Sequence, residues 1–193
     1  MEPPSDGYQI RVRRRKGNLI PLNLGDEKLY SGGQWGGTHR RRERSDMKIV
    51  IGSDHAGFKV KERLKKLLQE WGHNVIDVGA SGEESCDYPD FAEKVARAVA
   101  SGQGERGVLL CGTGIGMAMT ANRIPGALAA TVHDRVTAEM SRKHNNANIF
   151  CAGAWVLPAG EIESNLKVWL ETPFEGGRHE RRVGKILKLD RAK

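Results

Sequence analysis

The pattern of apolar and polar positions changes character at Met47. From there, short β-branched or apolar runs that end in glycine alternate with stretches whose apolar residues recur at helical spacing. KIVIG (48–52) reads as a strand, and Phe58, Val60, Leu64, Leu67, Leu68 and Trp71 then mark one helix face before Gly72 stops it. The alternation repeats. Strands are predicted in HNVIDVG (73–79), RGVLLCG (106–112), GALAATVH (126–133) and ANIFCAG (147–153). Helices are predicted in DFAEKVARAVASG (90–102), GMAMTANR (116–123), DRVTAEMSRKH (134–144), AGEIESNLKVWLET (159–172) and RRVGKILKLDR (181–191). Strands that are apolar throughout are buried on both faces, which predicts a five-stranded parallel, Rossmann-like sheet in a three-layer α/β/α sandwich.

Residues 1–46 show neither period. They carry RVRRRK, HRRRERSD and the glycine-rich SGGQWGGT, and read as a basic, disordered extension ahead of a domain at 47–193. The formal charge of +7 divides accordingly. The extension holds ten Lys/Arg against six Asp/Glu, leaving twenty-one against eighteen for the remainder. A near-balanced domain lacks the broad basic footprint of a nucleic-acid binder, although an RNA-binding arm at 1–46 is a conceivable use of those arginines. No run approaches the roughly 18 apolar residues of a membrane span, and the first residues lack the apolar core of a secretory signal. A cytoplasmic protein is expected. Cys86, Cys111 and Cys151 are widely spaced without a CxxC pair, so free thiols are expected rather than disulfides or a zinc site.

Ligands of parallel sheets bind at the carboxyl ends of the strands. Among the strand-end loops, CGTGIG (111–116) places a cysteine before three alternating glycines. A dinucleotide fingerprint would need a glycine at 117, which is Met117, although Asp134 sits where a ribose partner could. The glycines instead expose backbone amides to a phosphate or to an oxyanion formed in a reaction, and Cys111 at the same helix start could act as a thiolate base. Cys151, inside a strand, reads as core. Asp54 and His55 share the edge with Cys111. His144 and His133 are alternative acid–base candidates, whereas His73 opens a strand on the opposite edge and His39 lies in the extension. Arg178 and Arg182, four apart with Arg181 between them, could clamp a phosphate.

SDHAG (53–57), DYPD (87–90), CGTGIG (111–116), SRKHNNAN (141–148) and FEGGRHERRV (174–183), in this order, resemble the ribose-5-phosphate isomerase B and galactose-6-phosphate isomerase family of aldose–ketose sugar-phosphate isomerases. The resemblance runs from Met47 to the C-terminus. It implies interconversion of ribose 5-phosphate and ribulose 5-phosphate through a cis-enediolate, with six-carbon sugar 6-phosphates and non-catalytic sugar-phosphate binding as alternatives. Cys111 matches the proton-moving base, Thr113 the assisting hydroxyl, and Gly112, Gly114 and Gly116 the amide cradle. His144 matches the ring-opening acid–base, with Asp54 as its counterpart, in preference to His133. His55, Arg178 and Arg182 match phosphate contacts; Tyr88 and Asn145 match sugar contacts. The resemblance implies no metal or organic cofactor, and a homodimer or homotetramer whose site is shared across the interface. After CAG, where many members carry an arginine that supports phosphate binding, this chain carries Trp155.

Overall fold

The computed structural model describes residues 46–190. The extension expected at 1–46 therefore lies, apart from Asp46, outside the described residues. The elements are β1 (Lys48–Ser53), α1 (Phe58–Glu70), β2 (Asn74–Asp77), α2 (Tyr88–Ala100), β3 (Arg106–Cys111), α3 (Ile115–Ala121), β4 (Ala129–Thr131), α4 (Arg135–Lys143), β5 (Ile149–Gly153), α5 (Ala159–Glu171) and α6 (Arg178–Leu189). The five strands form one parallel sheet in the order β2-β1-β3-β5-β4.

Alternate residues of each central strand face opposite layers, as the period of two requires. Ile49, Ile51, Val108, Leu110, Phe150 and Ala152 pack against α1, α4 and α5, with Leu64, Leu68, Ile162, Leu166 and Trp169 filling that layer. Val50, Leu109, Cys111, Ile149 and Cys151 face α2 and α3, against Val95, Val99, Met117 and Ala121. Both faces of these strands are buried, which is why the strands are apolar without alternation.

Most element limits shift by a residue or two from the sequence reading, and three of the differences have a clear local cause. α2 begins at Tyr88, because Asp87 takes the extended N-cap conformation and Pro89 fits the first turn, where its missing N–H costs nothing. α6 begins at Arg178, directly after Gly176 and Gly177, so that His179 joins its first turn. β4 keeps only three of the eight residues read as strand. Gly126 has φ 84°, and the Asn148 side chain bonds both the Leu128 N–H and the Gly126 carbonyl, replacing ladder bonds with a turn. Among the described residues, no helix is long and apolar enough to cross a membrane.

Candidate active site

The chain passes from β1 outward to β2 and then returns to the other flank of β1 with β3, so the crevice between divergent connections opens at the carboxyl ends of β1 and β3. Asp54 closes the turn leaving β1. Its N–H donates to the Leu110 carbonyl (3.1 Å) and its Oδ1 accepts from the Gly57 N–H (3.0 Å). The Cys86 N–H donates to His55 Nδ1 (3.3 Å), which leaves Nε2 of a neutral ring to carry the proton. Cys111, the last residue of β3, is 5% exposed, and the Gly114 N–H donates to its Sγ at 3.0 Å. The seven-residue α3 offers only a short dipole, so this amide is the stronger influence on the sulfur.

Neighbouring elements hold the loop from both sides. Gly114 sits at φ 79°, and a Cβ there would lie 2.9 Å from the Ala152 carbonyl carbon. The Ala154 and Trp155 amides donate to the carbonyls of Cys111 (2.8 Å) and Gly112 (3.0 Å). The Trp155 ring lies against Gly112 and the Tyr88 ring against Gly116, each too close for a side chain at the glycine. Thr113 is exposed, its Oγ1 accepting from the Ile115 N–H (3.3 Å). Asp54, His55, Tyr88, Cys111, Gly112, Thr113, Gly114 and Gly116 thus share the carboxyl edge of the sheet. The Gly114 amide, expected in the oxyanion cradle, is here directed at the Cys111 side chain, and the adjacent Ile115 amide at that of Thr113.

His144 and Asn145 are elsewhere. α4 follows β4 and runs back beside the sheet, so His144, its C-cap, reaches the amino edge. Asn148, four residues on, accepts from the Gly107 N–H at the start of β3. From Gly107 to Cys111 is four strand steps, about 13 Å. The expected pairing of Asp54 with His144 therefore does not form within one chain. The argument that sets His73 aside applies equally to His144, since a helix that ends before a strand ends at that strand's amino edge.

At this second edge the structure assembles a different group. The Glu175 N–H donates to the Lys143 carbonyl (3.1 Å), bringing the segment before α6 onto the end of α4. The His144 and His179 rings then stack, with centroids 4.1 Å apart and planes 3° from parallel. Glu175 Oε2 lies 3.8 Å from His144 Nε2 and 3.7 Å from His179 Nε2. Arg178 and Arg182 are exposed on α6, and the Arg178 Nε donates to His179 Nε2 at 3.3 Å. Buried Arg142 ties the turn together: its guanidinium donates to the Ala147 carbonyl (2.5 Å), Asn146 Oδ1 (3.1 Å) and the Thr172 carbonyl (3.4 Å). Burial pushes its pKa down to about 10. His179, Glu175 and Arg142 were not singled out from sequence; for His179 the signal was present, a histidine between the two clamp arginines in GRHERR.

His144, Glu175 and His179 present ligand atoms within 4.8 Å of one another. The stack opposes chelation, because an imidazole lone pair lies in the ring plane and those of parallel stacked rings run side by side instead of converging. An Arg178 N–H already occupies one of them.

Other candidates resolve into structure. Asp134 caps α4 in a reciprocal bond set with Thr137, whose N–H holds the carboxyl below its usual range, so it is an N-cap and not a ribose ligand. Burial pushes the Cys151 thiol far up, and it is core. In the cleft beside α1, Lys61 and Lys65 pair with Glu62 and Asp77 at 2.7–2.9 Å, charges spent on one another.

The family model for Ribose/Galactose Isomerase matches residues 49–186. Ribose-5-P isomerase B of Listeria innocua is 43% identical over 75% of this chain and 97% of its own length. The structure of Clostridium thermocellum ribose-5-phosphate isomerase B is 46% identical, with a TM-score of 0.75 over 76% of this chain and 99% of that one. The Mycoplasma genitalium ribose-5-phosphate isomerase B with bound ribulose 5-phosphate is 38% identical, with a TM-score of 0.73 over 76% and 97%. With the family model spanning most of the described residues and relatives of 38–46% identity matched over nearly their whole length, the chain belongs to the ribose/galactose isomerase family.

Proposed function

We propose that this chain is a cytoplasmic aldose–ketose isomerase that interconverts ribose 5-phosphate and ribulose 5-phosphate. The observation that carries the chemistry is the buried Cys111 sulfur facing the Gly114 N–H at the head of the glycine loop. A thiolate there takes the proton from C2 of the open-chain aldose. The electron pair forms the C1–C2 double bond of the enediolate, and the carbonyl becomes an oxyanion. Returning the proton to C1 while O2 becomes the carbonyl gives the ketose. Those amides of the 112–116 loop that the Cys111 and Thr113 side chains do not engage meet charge that exists only during the reaction, so their stabilisation is spent on the transition state. Thr113 assists proton movement between the substrate oxygens. Ring opening comes first. It breaks the bond from C1 to the ring oxygen, gives that oxygen a proton and removes one from the anomeric hydroxyl, the work assigned to His144 and Asp54. His55, Arg178 and Arg182 hold the phosphate, and Tyr88 and Asn145 line the sugar. The bound ribulose 5-phosphate of the Mycoplasma genitalium relative favours the pentose over six-carbon substrates.

The separation of the two groups of residues supports a site shared between copies. Each copy would contribute its carboxyl edge to one site and its amino edge to another, which a two-fold homodimer accomplishes twice. Exposed Ile115 and Met119 on α3, beside Tyr88, suit such a contact.

Cys111→Ala should abolish exchange of the C2 hydrogen while leaving sugar-phosphate binding intact, and full turnover would refute the mechanism. Mixing Cys111→Ala with His144→Ala should restore activity. At random exchange half the dimers are hybrids with one intact site of two, so about a quarter of wild-type activity returns. No recovery on verified subunit exchange would refute the shared site.

A further inference from the structure

His144 stands at a helix C-cap with its side chain 37% exposed, a place where an imidazole would ordinarily rotate. Here its face is covered. His179, 5% exposed in the first turn of α6, lies parallel to it at 4.1 Å. His179 Nε2 accepts the Arg178 Nε–H, so that nitrogen carries no proton. The charged groups around the pair are Glu175, which contacts both rings, Arg178 and Arg182 from α6, and Lys143 from α4, opposite Glu175. Burial, and then the neighbouring cations, hold His179 below the ordinary histidine value, so it stays neutral beside a partner that must gain and lose a proton. A neutral ring stacks on an imidazolium with cation–π attraction, whereas two charged rings would repel.

We propose that His179 is a positioning residue for ring opening: its buried ring is the flat support that fixes the plane in which the His144 imidazole exchanges its proton with the sugar. The inference rests on His144 as the ring-opening acid–base. Restricting that ring to one rotamer before substrate arrives places the acid in reacting geometry without further ordering cost. His179 touches no reacting atom. Removing it should therefore impair only the step that His144 performs.

The two directions of the reaction separate that step from proton transfer. Ribose 5-phosphate is cyclic and must be opened. Ribulose 5-phosphate cannot close to a furanose through its phosphate-bearing carbon and reacts open, so its C1 hydrogen exchanges with solvent through Cys111 alone. His179→Ala should lower kcat for ribose 5-phosphate about tenfold or more, while exchange of the ribulose 5-phosphate C1 hydrogen into D2O, followed by NMR at saturating substrate, stays within about twofold. His179→Phe keeps a flat face and should recover ribose 5-phosphate turnover to within about threefold. Melting curves and sedimentation of both variants establish that fold and assembly are retained, and if only His179→Phe folds, its own two-assay comparison decides. An unchanged kcat in His179→Ala, an equal loss in both assays, or a folded His179→Phe with selectively lost ring opening would overturn the proposal. His144→Ala is the control. If it retains ribose 5-phosphate turnover, the assignment of His144 fails; if it loses turnover and His179→Ala does not, only the inference about His179 fails.

Discussion

Gly153→Ala tests whether the position of the 111–114 loop, and not only its composition, sets the rate. Gly153 ends β5 opposite Cys111 in the ladder. A Cβ at that position would lie 2.6 Å from Thr113 Cα and carbonyl carbon and 2.8 Å from the Gly112 oxygen. All three are backbone atoms, so no rotamer change relieves the contact. Ordinary carbon contact begins near 3.5 Å, so the loop and β5 must separate by about 0.9 Å. Overpacking of this kind costs about 1–3 kcal/mol, a fall of several degrees in melting temperature for a domain of this size. The kinetic effect is larger. Displacing a catalytic group by on the order of 1 Å costs about a hundredfold, so kcat for ribose 5-phosphate should drop by about two orders of magnitude in a variant that remains folded. Gly160→Ala provides the matched control: nothing lies within 4 Å of its Cβ, and the position is in the first turn of α5. It should keep wild-type kcat and gain up to about 1 kcal/mol. Wild-type kcat and melting temperature in Gly153→Ala would refute the reasoning, because the loop would then have moved without consequence or have had room to spare.

Arg142→Met should destabilise the chain by about 2–4 kcal/mol in chemical denaturation, since it strips the buried Ala147 carbonyl and the part-buried Thr172 carbonyl of their donor. Because His179 has a depressed pKa when folded, stability does not depend on its titration above the unfolded value of 6.5; it falls as pH drops below that value, where the unfolded chain binds the proton first, and levels off below the folded pKa. The difference between wild-type and His179→Phe melting temperatures across this window measures it, and identical pH profiles would contradict the assignment. Cys151, fully buried with its thiol pushed far up, should resist iodoacetamide at about pH 8 in the native protein and react once unfolded, while half-buried Cys86 labels natively; mass spectrometry of the peptides decides.

The layers and the place of Cys111 and its glycine loop at a strand end were legible because both rest on local signals. Continuous apolar runs such as VLL in β3 announce burial on both faces, and a cysteine followed by alternating glycines can only sit where backbone, not side chains, makes the site. The order of strands was not legible. Alternating strands and helices fix parallel pairing, but nothing local says that β5 enters between β3 and β4, since that depends on which hydrophobic faces match. His144 and Asp54, expected as counterparts in a site shared across an interface, lie at opposite edges of one chain for a directional reason: helices in this fold return toward the amino edge. Chain direction alone would have placed His144 there. His179 was overlooked because its partners come from three segments, α4, the 172–177 link and α6, whose meeting depends on tertiary contacts such as the Glu175–Lys143 backbone bond.

The position of β5 bears on how the molecule is made. β4 pairs with β5 and β5 with β3, so a nascent chain that has reached the end of α4 can zip only β2, β1 and β3, with the far side of β3 bare and β4 waiting for a neighbour not yet synthesised. Such an open, apolar strand edge invites pairing with other chains. Arrival of residues 149–155 ends that exposure, recruits β4 and supplies the amides of Ala154 and Trp155 that pin the carbonyls of Cys111 and Gly112. Closure of that edge and support of the Cys111 loop thus depend on the same strand, so a destabilised β5 should lose solubility and activity together.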